Sequence, residues 1–248
     1  MRNIWTIAKR EYKLYFNGPV AYAVAFLFFL ILGITFFQSL RDALQSALFQ
    51  QPYTPTIQVI TGGVMVFILI FTTPAITMRL LAEEQRSGTM ELLLTAPVRD
   101  WELVLGKWLG GVLFMLTLIL TTLIYAVVLN WLVEPGIDQG LLISGYLGLS
   151  LMTMSLISIG VAVSAFFSNQ IAAFFASLVI VLALWLTQAA SSTTGTTVGE
   201  VVKYFNFIEH YIGFFNGVID LRDVVYYLSF TAVGLFVGNM AVEMRRWR

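Results

Sequence analysis

Glu83, Glu84, Arg86 and Glu91 crowd four charges into nine residues of a chain that is only 11% charged. They belong to a segment, Arg79 to Lys107, that lies between two long apolar stretches. A charge at the centre of a membrane span costs about 2.5–3.5 kcal/mol on insertion scales, so this cluster is expected in water. A charged cluster between two spans is a natural handle for a soluble partner.

Other chemistries are poorly supplied. His210 is the single histidine, and Glu209-His210 offers too few ligands for a metal. The absence of cysteine excludes disulfides, thiolate metal sites and cysteine nucleophiles. Gly106-Lys107 does not make a phosphate-binding loop, because the earlier glycine is missing and Trp108 follows the lysine. No catalytic, cofactor-binding or metal-binding residue is therefore expected in this chain. The ionisable residues Glu134 and Glu243 fall near span ends, and none is placed deep in a span. That argues against an ion-coupled carrier and an intramembrane protease.

The elements that carry the charged segment follow from composition. The 248 residues are 58% hydrophobic, with mean hydropathy +0.84. Soluble domains carry roughly 25% charged residues, so an all-α, polytopic integral membrane protein is expected. Net charge is zero, which gives no bulk attraction to nucleic acid. Crossing the bilayer core takes about 20 mostly apolar residues. Six stretches qualify: Val20–Leu40, Ile57–Met78, Trp108–Leu132, Ile143–Phe167, Ile171–Ala190 and Val224–Val242. They form a single transmembrane domain over residues 1–248, and the first is read as a retained span rather than a signal peptide. Ser168-Asn169-Gln170 makes a tight hairpin between the fourth and fifth.

With the N-terminus inside, eleven Lys and Arg residues fall in cytoplasmic segments and only Arg41, Lys203 and Arg222 outside. The positive-inside bias predicts a multi-pass protein of the inner (plasma) membrane with both termini cytoplasmic. Residues 1–19 read as an amphipathic elbow. Ile4, Trp5, Ala8, Tyr12, Tyr15 and Phe16 share one arc, and Arg2, Lys9, Arg10 and Lys13 the next. That pattern suits a helix in the headgroup plane against anionic lipid, as a plain anchor or as an elbow that also touches a cytoplasmic partner. Asn17-Gly18-Pro19 then breaks the helix.

Within 79–107, helix propensity favours Arg79–Arg86, Ser87-Gly88 weakens it, and Thr89 can cap a new helix. Met90, Leu93 and Leu94 form an apolar stripe beside Glu91; Pro97 ends that piece, and Asp100 is the expected cap of the next. Two short bent helices result, or a solvated loop whose leucines rest on headgroups. In the second span Pro74 frees a carbonyl that Thr72, Thr73 and Thr77 can satisfy, as a hinge or a kink. The four-residue spacing of Gly160, Ser164 and Ser168 suits close helix packing. Residues 191–223 hold a polar stretch and then the aromatics Tyr204, Phe205, Phe207, Tyr211, Phe214 and Phe215. Short interfacial or re-entrant helices are expected there, serving as an outer gate, as a contact for an outer or periplasmic partner, or as an aromatic belt.

Glu84, Arg86, Gly88-Thr89, Glu91, Leu93-Leu94, Pro97 and Gly106-Lys107 match, in order and spacing, the cytoplasmic loop of type-2 ABC exporter permeases. The resemblance extends over nearly the whole chain and is nearest the gliding-motility and nitrous-oxide-reductase-accessory branch. It implies a permease subunit, paired with a second copy or a homologue, over two cytoplasmic ABC ATPase subunits that hold ATP and Mg. It further implies that Glu84, Arg86 and Glu91 make polar contacts to the ATPase. Gly88 and Thr89 set the bend, Leu93 and Leu94 anchor the helix, and Pro97 ends it. Two other classes stay open. One is a mechanical transmitter that drives an outer protein without cargo flux, and the other is a membrane enzyme centred on Glu209-His210.

Overall fold

The computed structural model describes residues 2–49, 55–89, 98–191 and 205–246. The first charged helix, α1 (Arg2–Asn17), is followed after one residue by α2 (Pro19–Leu48). Proline suits that first helical position, where its missing N–H would have no partner anyway. The second span is built from α3 (Gln58–Thr61), α4 (Gly63–Thr77) and α5 (Ala82–Arg86). The third divides into α6 (Asp100–Thr121) and α7 (Leu123–Leu132). Then come α8 (Gln139–Phe166), α9 (Gln170–Ser191), the short α10 (Glu209–Phe215) and α11 (Leu221–Arg246). No strand occurs among the described residues. Among the described residues six helical stretches are long and apolar enough to cross a membrane, and they coincide with the six expected from composition to within a turn or two at most ends.

α8 is the hub. It packs against α4, α6, α9, α10 and α11, and most of its length is buried. α2 and α9 are the least covered spans, each with a broad apolar surface turned outward. Asp138 caps α8 by accepting the N–H groups of Gly140 and Leu141 at 2.8 and 3.2 Å.

Three local expectations are corrected. The third span is not one helix: at Thr122 the hydroxyl bonds the Ile119 carbonyl and the Tyr146 hydroxyl, and the helix restarts at Leu123. The threonines around Pro74 bond the carbonyls of Ile68, Leu69 and Thr73, one turn back from each hydroxyl, and not that of Ile70, whose usual N–H donor the proline lacks. Asp100 lies inside the first turn of α6 instead of capping it. The carboxylate of Glu102 accepts the Arg99 N–H at 3.1 Å, the side of a capping box that reaches back from the third helical position.

Candidate functional site

The elbow helix lies directly on the third span. An added Cβ at Gly110 would stand 2.6 Å from the Glu11 Cβ and 3.2 Å from the Ala8 carbonyl. One at Gly106 would stand 2.7 Å from Ile7 and 3.2 Å from the Ile4 carbonyl. Two glycines one turn apart let the backbones of α1 and α6 meet closely, as small residues do between membrane helices. Around this contact Asn3 donates to Glu102, the Tyr12 hydroxyl pairs with Thr117, and Tyr15 stacks on Phe114 at 4.7 Å. The Tyr15 hydroxyl donates to the Ile76 carbonyl of α4. Burial, then the nearby Glu11 carboxylate, pushes the Tyr15 phenol well above its ordinary range, with Arg79 opposing; it stays a neutral donor.

Thus α1 does not simply float in the headgroups. Ala8, Glu11 and Tyr15 face the bundle, whereas Trp5, Lys9, Arg10, Lys13 and Phe16 are exposed and Tyr12 is half-buried.

The docked elbow brings Glu11 to two partners far away in sequence. Lys107, on the second turn of α6, is only 1% exposed. Its Nζ lies 2.8 Å from Glu84 Oε1 and 3.2 Å from Glu11 Oε1. Arg10, whose head is exposed, reaches Glu84 Oε1 at 3.5 Å and Glu11 Oε1 at 3.9 Å. Two carboxylates and two cations therefore balance inside a contact of α1, α5 and α6. Glu84 Oε2 is buried and accepts no hydrogen bond. A cavity of about 700 Å³ opens beside the cluster, with Glu83, Glu84, Arg10 and Arg79 on its walls.

The second helix of this contact, α5, is fixed from the other side. Between α4 and α5 the chain leaves the helix, and Ser164 of α8 takes up the freed groups. Its Oγ accepts the N–H of Leu81 and of Ala82, each at 3.1 Å, and donates to the Met78 carbonyl at 3.2 Å. Gln85 donates to the Ala165 carbonyl at 2.8 Å. Ser164 is thus more than a small packing residue. Arg79 lies over the Tyr15 ring, 5.0 Å from its centre, and donates to the Leu14 carbonyl. Gly88, at φ +71, ends this stretch in the left-handed conformation that glycine adopts without cost. Thr89 bonds the Glu84 carbonyl at 3.4 Å and the Ser87 hydroxyl at 2.9 Å.

Of the loop residues singled out in the sequence, Arg86, Gly88 and Thr89 are exposed. Glu84 is not: it is 8% exposed, which corrects the expectation that the whole cluster lies in water. Lys107, 2.8 Å away, offsets part of the cost of taking that carboxylate out of water. Glu91, Leu93, Leu94 and Pro97 lie outside the described residues. Sequence reasoning missed Glu11 and Lys107 as site residues. A signal existed for both: Glu11 is the one acid on the basic elbow, and Lys107 is the last charge before the long apolar run that follows it.

On the far side of the membrane, α10 is held by the chain itself. Asn206 accepts the N–H groups of Ile208 and Glu209. The Tyr211 hydroxyl donates to the Thr61 carbonyl at 2.5 Å, and Gln58 donates to the Phe215 carbonyl at 3.0 Å, both on α3. Ser144 donates to the Phe214 carbonyl at 2.9 Å. Phe207, Tyr211 and Phe214 are buried, Phe215 is half-buried, and Tyr204 lies outside the described residues. Burial pushes the Tyr211 phenol up, so it too remains a donor. His210 pairs with Asp223 at 2.7 Å and stacks on Tyr226, whereas Glu209 is exposed.

Each α3–α10 hydrogen bond is worth about 1 kcal/mol. Tyr211→Phe combined with Gln58→Ala is therefore expected to raise maleimide labelling of a cysteine placed at Phe207 by on the order of tenfold. Unchanged labelling would mean that these bonds do not hold the far side closed.

A sequence model described as ABC-2 family transporter protein matches residues 5–244. No curated protein matches the chain significantly.

Proposed function

The chain belongs to the ABC-2 family of transporter proteins, and from that membership we propose that it is the permease subunit of an ATP-driven exporter. Family membership implies a multi-pass membrane subunit that works with an ABC ATPase. The finer reading is that two ATPase subunits dock beneath a pair of permeases in the inner membrane, with both termini in the cytoplasm. ATP and Mg reside in those partners, and this chain turns their closure into movement of its spans.

One observation carries the coupling role. The Glu11–Lys107–Glu84 contact ties the elbow, the segment that leads into the cytoplasmic loop, and the third span at one point. A push on the exposed face of 83–89 therefore reaches α1 and α6 together, while Ser164 passes it to α8. Arg86 and Thr89 form the face offered to the ATPase. Glu84 acts behind that face, holding it to the bundle.

Co-purification in mild detergent from native membranes tests the reading. A stoichiometric soluble ATPase is the expected companion, and Arg86→Glu should reduce its recovery. A folded six-span protein recovered without any ATPase would overturn the proposal. A second reading, in which force passes to an outer protein and no cargo crosses, is favoured by the far end of α2, which stands clear of the bundle.

A further inference from the structure

The cavity beside the charge cluster holds about 700 Å³, within the ordinary range of a small-molecule site. Six charged residues lie on its walls among the described residues. Four of them, Arg10, Glu11, Glu84 and Lys107, balance one another in the contact already described. The other two are Arg79 and Glu83, one cation and one carboxylate. The Glu83 N–H reaches the Arg79 carbonyl at 3.4 Å, so their side chains leave the backbone one turn apart. Such neighbours start about 5–6 Å from each other. A further acceptor belongs to the same wall, because Glu84 Oε2 is buried without a donor.

The cavity lies where the chain enters the bilayer. Val20 comes from the first turn of α2, Met78 from the residue after α4, and Gln170 from the start of α9. Leu14 and Val20, both on the walls, are 41% and 37% exposed. From Val20 an exposed apolar stripe continues along α2 through Leu27 and Ile31, at helical steps of seven and four. Eleven residues of helix rise about 16 Å, close to half of the roughly 30 Å hydrocarbon core. That is the depth of one leaflet. A soluble partner can meet Ser87 and Thr89 but not a stripe that rises into the bilayer. A molecule with a charged head and apolar chains meets both.

We propose that this cavity binds the headgroup of phosphatidylethanolamine, with the acyl chains along Val20, Leu27 and Ile31. Arg79 holds the phosphate. Its guanidinium carries five N–H groups and gives one to the Leu14 carbonyl, so donors remain for the phosphate oxygens. The ammonium, two carbons from the phosphate oxygen, reaches Glu83 one turn away. Its three N–H groups also supply the donor that Glu84 Oε2 lacks, on a small turn of that carboxylate. A choline headgroup has the cation but no N–H to give. A glycerol headgroup has no cation to match Glu83. The inference uses the geometry of the charge cluster and not the ATPase reading.

Photo-labelling of the full purified chain in phosphatidylglycerol vesicles tests it. The probes are phosphatidylethanolamine and phosphatidylcholine in trace amounts, each with the same diazirine on an acyl chain. The ethanolamine probe is expected to label residues 14–31 at least about tenfold more than the choline probe, the equivalent of one charge-assisted hydrogen bond. Glu83→Gln alters an exposed side chain and should bring the two probes to equal yield. Arg79→Gln should lower both. Equal labelling in the parent, a preference indifferent to Glu83→Gln, or labelling confined to other spans would each overturn the proposal. So would full protection by an equal amount of water-soluble glycerophosphoethanolamine, which would mark a soluble ligand in place of a lipid. The vesicles hold no ATPase, so failure of the coupling reading would show in the co-purification and not here.

Discussion

Lys107→Met is expected to be the most damaging single substitution on the elbow side of the molecule. The methionine keeps most of the stem but removes the one buried cation that faces both Glu11 and Glu84. Two nearly buried carboxylates would then repel each other with only the exposed Arg10 left to share. Removing one partner of a buried ion pair costs about 3–5 kcal/mol, mostly because the remaining charge stays buried and unpaired. The expected result is a large drop in the midpoint of thermal unfolding in detergent. Restoring neutrality should recover much of it, so Lys107→Met with Glu11→Gln and Glu84→Gln is expected to be more stable than Lys107→Met alone. A triple variant no better than the single one would show that Lys107 acts through packing and not through charge.

The second large effect comes from a residue with no charge. Gly110→Val places a branched side chain where even a Cβ meets Glu11 at 2.6 Å and the Ala8 carbonyl at 3.2 Å. The Glu11 Cβ is fixed by its own backbone and the Ala8 carbonyl belongs to that backbone, so α1 as a whole must move. Overpacking of this kind costs about 1–3 kcal/mol. Lifting α1 off α6 relieves the clash. Glu11 would leave Lys107, and Tyr15 would leave Phe114 and Ile76. Tryptic cleavage at Lys9 and Lys13 should rise by on the order of tenfold while the spans stay protected. Equal cleavage in the variant and the parent would mean that the elbow is not seated as described.

Much of the fold was legible from composition because the bilayer enforces it. Six apolar runs of the right length have few alternatives once water is excluded. The breaks within spans were not legible. Thr122 looks like any other hydroxyl in an apolar helix, and only the Tyr146 hydroxyl across the bundle makes it a joint. The turn before α5 likewise depends on a partner remote in sequence, Ser164.

The site was half legible. The loop residues stood out because charges are rare in this chain, yet the same rarity suggested that all of them face water. Glu84 turns inward because Lys107, twenty-three positions later in sequence, and Glu11, on the elbow, converge on it. The periodicity of α1 put Ala8 and Tyr15 on the arc meant for the headgroups, yet both are buried in the bundle. It did not show the third face, where Ala8, Glu11 and Tyr15 meet two glycines of α6.

Glu84 Oε2 bears on mechanism. A buried acceptor without a donor costs about 1–3 kcal/mol. That cost vanishes in any arrangement that supplies a donor or lets the oxygen reach water, and the adjoining cavity gives room for either. An element whose two arrangements differ by so little can be biased by a partner's closure.

The central claim is that the contact at Glu84 carries the ATPase's movement into the spans. The most direct measurement uses the purified permease with its ATPase, spin-labelled on the far side at Leu132 and Ile219, both exposed. Distances between the labels would be followed with and without ATP in the parent and in Glu84→Gln, which keeps the size and loses the charge. The account predicts that the ATPase stays bound and hydrolyses ATP in both, while the ATP-dependent change in distance is lost in Glu84→Gln. A variant whose distances shift as far as the parent's would contradict it.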